Sequence, residues 1–232
     1  MRNDTEGRKG AAMKRIMVFG DSNTYGHLPG SAHPVTGASL RYADDVRWTG
    51  VMQNELGAEY KVLEEGFCGR STVFPDPMQH GRNGLEYLDV AFGTCAPVDL
   101  VIIMLGTNDT KDYLSASALV IYYGMATLVD ALRKLIAQSN SPDAKILIIN
   151  PPHLIPTADG TYIWGFSEQS TQKGRELGAY FERLANEEHL EFLDADKLEG
   201  CVPSEIDGTH LTEEAHAILG KAAAKKVKEI MG

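Results

Sequence analysis

The chain has 232 residues, 43% hydrophobic and 23% charged, an ordinary globular composition that allows burial of roughly 70–75% of the unfolded surface. Its net charge of -10 and pI near 5.2 argue against a nucleic-acid or anionic-membrane partner, since both attract basic patches. Cys68, Cys95 and Cys201 form no CxxC pair, which speaks against a zinc site or disulfide framework and for a reducing, cytoplasmic setting; no apolar run reaches the length of a membrane span.

Residues 1–13 are polar and charged, without the apolar core of a signal peptide, and read as a flexible tail ahead of a single domain over 14–232. Residues 15–20 form an apolar strand that ends in the tight turn Gly20-Asp-Ser22-Asn-Thr-Tyr-Gly26. Residues 46–56 set Val46, Val51, Met52 and Leu56 on one helical stripe. A second strand over 60–65 ends in Gly66-Phe-Cys68-Gly69-Arg70, and a third over 99–105 ends in Gly106-Thr-Asn108-Asp109. The span 117–138 is helical, with Leu119, Tyr123, Ala126, Leu128, Leu132 and Leu135 at helical spacing. Strand 145–150, helix 167–189, strand 190–194 and helix 212–231 complete the series. Thr212 is suited to cap the last helix, with Glu213 and Glu214 in its positive first turn.

Continuous apolar strands need cover on both faces, hence a parallel sheet, and the β-α alternation gives a doubly wound α/β domain with right-handed crossovers. Two long loops, 28–45 and 151–166, leave strand carboxyl ends, where α/β proteins place ligands. They carry Leu40 and Tyr42, and Leu154, Ile155, Tyr162, Ile163, Trp164 and Phe166, which suits either an apolar acyl or aryl pocket or a subunit contact.

Ser22, at the tip of the first turn, is either a nucleophile or a helix N-cap. The turn is not the G-x-S-x-G elbow, a P-loop or a G-x-G-x-x-G fingerprint. Asp21 is read as a cap or turn-orienting residue. Asp207 and His210, three apart in a Gly-containing turn, permit a carboxylate to reach back to imidazole Nδ1; the bland alternative is a solvated surface turn. Asn108 fits an oxyanion donor or a turn former, and Gly69 allows a backbone N–H to approach a ligand closely. Cys68 is the rival nucleophile, with no histidine in a sequence relation that would activate it. The remaining histidines are scattered, so neither metal nor cofactor is expected. Trp48, Met52 and Met104 read as core, and Arg47 as half of an ion pair whose partner the sequence does not identify.

Gly-Asp-Ser22, Gly69, Gly-x-Asn108-Asp and Asp207-x-x-His210 occur in an order that resembles the SGNH, or GDSL, hydrolase family. The likeness runs from the first strand to the last helix. It implies a flavodoxin-like three-layer α/β/α sandwich with a five-stranded parallel sheet, and a serine esterase mechanism through an acyl-enzyme. On that resemblance Ser22 attacks the ester carbonyl, His210 is base and then acid, and Asp207 orients His210. The N–H groups of Ser22 and Gly69 with the Asn108 side chain form the oxyanion hole. Asp45-Val-Arg-Trp48-Thr-Gly50, Glu64-Glu-Gly66 and Ile103-Met-Leu-Gly-Thr-Asn-Asp-Thr-Lys111 look like the bacterial arylesterase/acyltransferase (perhydrolase-like) branch. That likeness implies small-molecule ester substrates, acyltransfer beside hydrolysis, and homo-oligomers built through the insert loops. Asn23 departs from the Leu of the GDSL signature, and Tyr25 and His27 stand where that branch often has tryptophan. With Trp164 these are the substrate-pocket candidates. Two other readings remain at this stage, a carbohydrate O-deacetylase of the same fold and a non-catalytic α/β module binding a small ligand.

Overall fold

The computed structural model describes residues 13–32 and 38–232. The tail over 1–12 and residues 33–37 of the first long loop, His33 included, lie outside the described residues.

Five strands form one parallel sheet in the order β2-β1-β3-β4-β5: β1 (Lys14–Gly20), β2 (Tyr60–Gly66), β3 (Leu100–Met104), β4 (Lys145–Asn150) and β5 (Glu191–Asp194). β1 lies between β2 and β3, with Gly20 opposite both Gly66 and Met104, so three strand ends meet at one edge. The order reverses direction about β1, and the loops after β1 and β3 diverge there to leave a crevice.

Side chains of the central strands alternate between two cores, as strand geometry requires. Met17, Phe19, Val101, Ile103, Ile146 and Ile148 face one side, under α3 (Gly84–Cys95), α4 (Ala118–Gln138) and α5 (Glu168–Glu187). Ile16, Val18, Ile102, Met104, Leu147 and Ile149 face the other, under α2 (Trp48–Leu56) and α6 (Glu213–Met231). A four-residue helix, α1 (Ser22–Tyr25), follows β1 directly. The architecture is the expected α/β/α sandwich with five parallel strands.

Trp48, Met52 and Met104 are buried in the second core, as read from the sequence. Thr212 caps α6 by accepting from the Ala215 N–H. Arg47 finds its partners in Glu64 (2.7 Å) and Asp44 (2.8 Å).

Two elements differ from expectation. The sequence pattern predicts no helix over 84–95, yet Asn83 caps one there by accepting from the Leu85 N–H, and Leu88, Ala91, Phe92 and Cys95 form its buried face. Gly84 and Gly93 masked that stripe by lowering helix propensity. The α4 stripe is also rotated: Ile121, Met125, Leu128, Leu132 and Ile136 are buried, whereas Leu119 and Tyr123 are exposed. A helix apolar almost all round offers several competing stripes, and the sheet it lands on chooses among them.

Candidate active site

The turn after β1 is built from short contacts. Asp21 Oδ1 accepts from the Asn23 N–H at 2.9 Å and so caps α1, leaving Ser22 as its first residue rather than its cap. A Cβ on Gly66, at the end of β2, would collide with the backbone of Thr24 and Tyr25, so glycine is what lets the turn seat on the sheet edge.

Asn23 joins this turn to the distant 207–211 turn. Its Nδ2 donates to the Thr209 carbonyl (3.2 Å) and its Oδ1 accepts from the Leu211 N–H (3.0 Å), one bond on either side of His210. The result brings Ser22, Asp207 and His210 together. His210 Nε2 stands 2.9 Å from Ser22 Oγ, and His210 Nδ1 stands 2.9 Å from Asp207 Oδ2. All three are at most 5% exposed.

Asp207 is also held from behind. Its Oδ1 accepts from the N–H groups of Thr209 (3.1 Å) and His210 (2.9 Å), and its Oδ2 from Gly30 (3.3 Å). Burial pushes this carboxyl up. The bond to the His210 ring, that ring's charge and the backbone N–H groups outweigh burial and hold it below the usual carboxylate range. An ionised carboxylate only accepts, so the His210 Nδ1 carries the proton and Nε2 is free to take one from Ser22.

Gly69 and Asn108 enter from the ends of β2 and β3. Gly69 adopts φ +78°, a left-handed conformation that favours glycine. The N–H groups of Gly69 and Ser22 have no hydrogen-bond partner among the described residues. Asn108 Nδ2 donates to the Arg70 carbonyl (3.2 Å) and lies 3.4 Å from Asp21 Oδ2, so its amide plane is fixed by groups behind it. Burial raises the Asp21 carboxyl to about 6, against the pull of the Asn23 N–H and the charges of His210, Arg70 and Lys111.

Ser22, His210, Gly69 and Asn108 line a cleft of about 740 Å³, which the long loops complete with Ser39, Ile163, Trp164 and Phe166. Of the four pocket candidates, His27 and Trp164 face the cleft. Asn23 does not, because both ends of its amide are bonded to the 207–211 turn. Tyr25 does not, because its ring lies under Arg41, whose guanidinium carbon is 4.6 Å from the ring centroid. Cys68 lines the cleft too, but burial, chiefly, raises its thiol to about 11, so it stays protonated at neutral pH.

His27 stacks on His210, with ring centroids 3.8 Å apart and planes 19° from parallel, and Trp164 meets both rings edge-on. Burial, helped by the neighbouring His210, lowers His27 to about 4. His27, Asp207 and His210 bring ligand atoms within 4.8 Å of one another and are the one group among the described residues that could hold a metal ion. Both His210 nitrogens are already engaged, one by Asp207 and one by Ser22. This approach was invisible in the sequence, where His27 and His210 lie far apart.

Comparison with known proteins shows the family. Residues 18–218 match the GDSL-like lipase/acylhydrolase family. The native aryl esterase of M. smegmatis is 38% identical, with a TM-score of 0.85 over 94% of this chain and 100% of that one. A carbohydrate acetylesterase from Sinorhizobium meliloti is 35% identical, with a TM-score of 0.82 over 94% and 100%. A carbohydrate acetylesterase family member from the same organism is 31% identical, with a TM-score of 0.79 over 95% and 100%. A search of curated proteins gives no match. The chain belongs to the GDSL-like lipase/acylhydrolase family, the SGNH hydrolases, by a match that spans both turns that carry Ser22 and His210.

Proposed function

We propose that residues 14–232 act as one domain, a serine esterase for short-chain acyl or aryl carboxylic esters with an arylesterase-like preference. The observation that carries this reading is the chain Ser22–His210–Asp207, 2.9 Å at each link, opening on a cleft. Ser22 Oγ attacks the ester carbonyl carbon while its proton passes to His210 Nε2. Asp207 stabilises the imidazolium that forms and keeps its ring in register. Negative charge on the former carbonyl oxygen is met by the N–H groups of Ser22 and Gly69 and by Asn108 Nδ2. Collapse of the tetrahedral intermediate expels the alcohol, which takes the His210 proton, and leaves an acyl-Ser22 ester. Water, deprotonated by His210, then releases the acid and restores Ser22. An alcohol or peroxide in place of water yields acyltransfer, which we include as a side activity.

Turnover of p-nitrophenyl acetate by wild type and Ser22→Ala tests the reading. Loss of about 10⁴-fold or more in kcat is expected, given the size of triad deletions in other serine hydrolases. Equal rates in the two proteins would refute it.

A carbohydrate O-deacetylase is the second reading. It is favoured by the polar wall of Ser39, Gln79 and Arg82 and by the S. meliloti relatives. Acetate release from acetylated sugars far above the rate on aryl acetates would select it. The setting we propose is cytoplasmic, where the free thiols Cys68, Cys95 and Cys201 stay reduced. Among the described residues no helix is long and apolar enough to cross a membrane.

A further inference from the structure

One wall of the cleft carries an arginine that has no counter-charge among the described residues. Arg82 precedes Asn83, the cap of α3. Its carbonyl accepts from the Ser71 N–H (2.9 Å) and hydroxyl (3.1 Å), and Gly84 N–H donates to the Ser71 carbonyl (3.1 Å). These bonds stitch the segment to the turn that presents Gly69. The side chain then folds back over that turn. A Cβ on Gly69 would stand 3.0 Å from Arg82 Nε and 3.2 Å from Gln79 Oε1, so both side chains lie against the glycine whose N–H is unpartnered. Arg82 Nε donates to Gln79 Oε1 (3.0 Å), and its guanidinium carbon lies 4.4 Å from the Phe67 ring centroid. The fork is therefore held in place from two sides.

No carboxylate among the described residues lies within ion-pair distance of Arg82, and its two terminal nitrogens have no hydrogen-bond partner there. Two other cations nearby are engaged by groups of the protein, Arg70 through one terminal nitrogen only, its Nε having no partner among the described residues. Lys111 pairs with Asp76 at 3.0 Å with both side chains buried, and Arg70 donates to the carbonyls of Gly20 and Glu65. An arginine fork that is braced, unpaired and beside a reactive centre matches a planar anion in shape and charge.

We propose that Arg82, braced by Gln79, is a specificity-determining residue that receives a carboxylate carried by the ester, so that anionic esters are preferred over neutral ones of the same shape. This rests on the esterase reading and names its substrate class. The carboxylate belongs either to the acyl part or to the alcohol part, and two matched pairs separate these sources. The acyl pair is p-nitrophenyl hemisuccinate against p-nitrophenyl levulinate. The alcohol pair is p-acetoxybenzoate against p-acetoxyacetophenone.

The readout is the ratio of kcat/KM, anionic over neutral, in wild type, Arg82→Gln and Arg82→Lys. A bidentate charged contact predicts that in one pair the ratio falls about tenfold in Arg82→Gln, is partly kept in Arg82→Lys and declines in wild type as salt is raised. A fall of less than about threefold in both pairs overturns the proposal, being smaller than loss of a charged hydrogen bond. Calorimetric titration of Ser22→Ala, with and without Arg82→Gln, by the same esters reads binding without turnover. Tighter binding of the anionic member that disappears with Arg82 supports the subsite, and equal binding overturns it. Absence of wild-type turnover on all four esters refutes the esterase reading instead, so the two failures are distinguishable.

Discussion

Asn108 shows how narrow the tolerances at the site are. Its amide nitrogen is held by a carbonyl at 3.2 Å and faces a carboxylate oxygen at 3.4 Å, which fixes the plane while leaving the longer contact weak. A developing oxyanion is a better acceptor than that contact. Asn108→Ala should lower kcat on p-nitrophenyl acetate about 10²–10³-fold with KM little changed, the loss typical of one oxyanion donor. A loss below about tenfold would remove Asn108 from that role, since even a neutral hydrogen bond made only in the transition state approaches that effect. Ser22, Gly69, Asn108 and the Asp207/His210 turn were visible in the sequence because each directly follows an apolar strand or precedes a capped helix. Roles that depend on closure in three dimensions were not. The His27–His210 stack and the return of Arg82 over Gly69 join segments whose sequence separation carries no signal. Asn23 looked like a pocket residue for the converse reason: its position beside the nucleophile is apparent, but its bonds to Thr209 and Leu211 are not.

α2 and α6 meet over a buried histidine. His216, on α6, is fully buried and its Nδ1 accepts from the Trp48 N–H at the start of α2 (3.2 Å), so it is neutral and its proton sits on Nε2. Burial, with lesser contributions from the charges of His210 and Arg47, lowers it to about 3. A histidine whose folded pKa lies below its unfolded value binds fewer protons folded than unfolded in that interval. Stability from His216 is therefore full above pH 6.5 and lost as pH falls from 6.5 toward 3. His27 has the same sign down to about 4. Asp21 and Asp109, both raised to about 6 mainly by burial, oppose it: their contribution is full below 3.8 and lost as pH rises through 6. Comparison of wild type with His216→Gln isolates one group, because glutamine keeps an acceptor for Trp48. The variant should lose less Tm than wild type between pH 7 and 4; equal acid losses would contradict the assignment. The strands themselves are legible in the sequence, the three central ones as continuous apolar runs and the half-buried edge strands β2 and β5 by their shorter apolar stretches. α3 and the α4 face are not, because glycines and an all-round apolar surface blur the helical period.

For the whole molecule, the sandwich supplies a rigid sheet edge and the two long loops supply the walls of the cleft. Leu40, Trp164 and Ile206 are exposed apolar side chains from the two loops and the 207 turn, and Trp164 and Ile206 stand at the cleft itself. Exposed apolar side chains of this size favour burial, so we propose that copies associate through these loops. Light scattering should give a mass that is a multiple of 25.3 kDa, reduced by Leu40→Glu with Ile206→Glu; a monomer in wild type would refute this. The esterase reading and the Arg82 subsite both stand on Ser22 being the group that takes up acyl. A fluorophosphonate reports that by phosphonylating an activated serine, and peptide mapping locates the adduct. The structure predicts one adduct per chain, on Ser22, abolished in Ser22→Ala and slowed in His210→Ala. An unlabelled protein, or an adduct on another residue while Ser22 stays free, would contradict it.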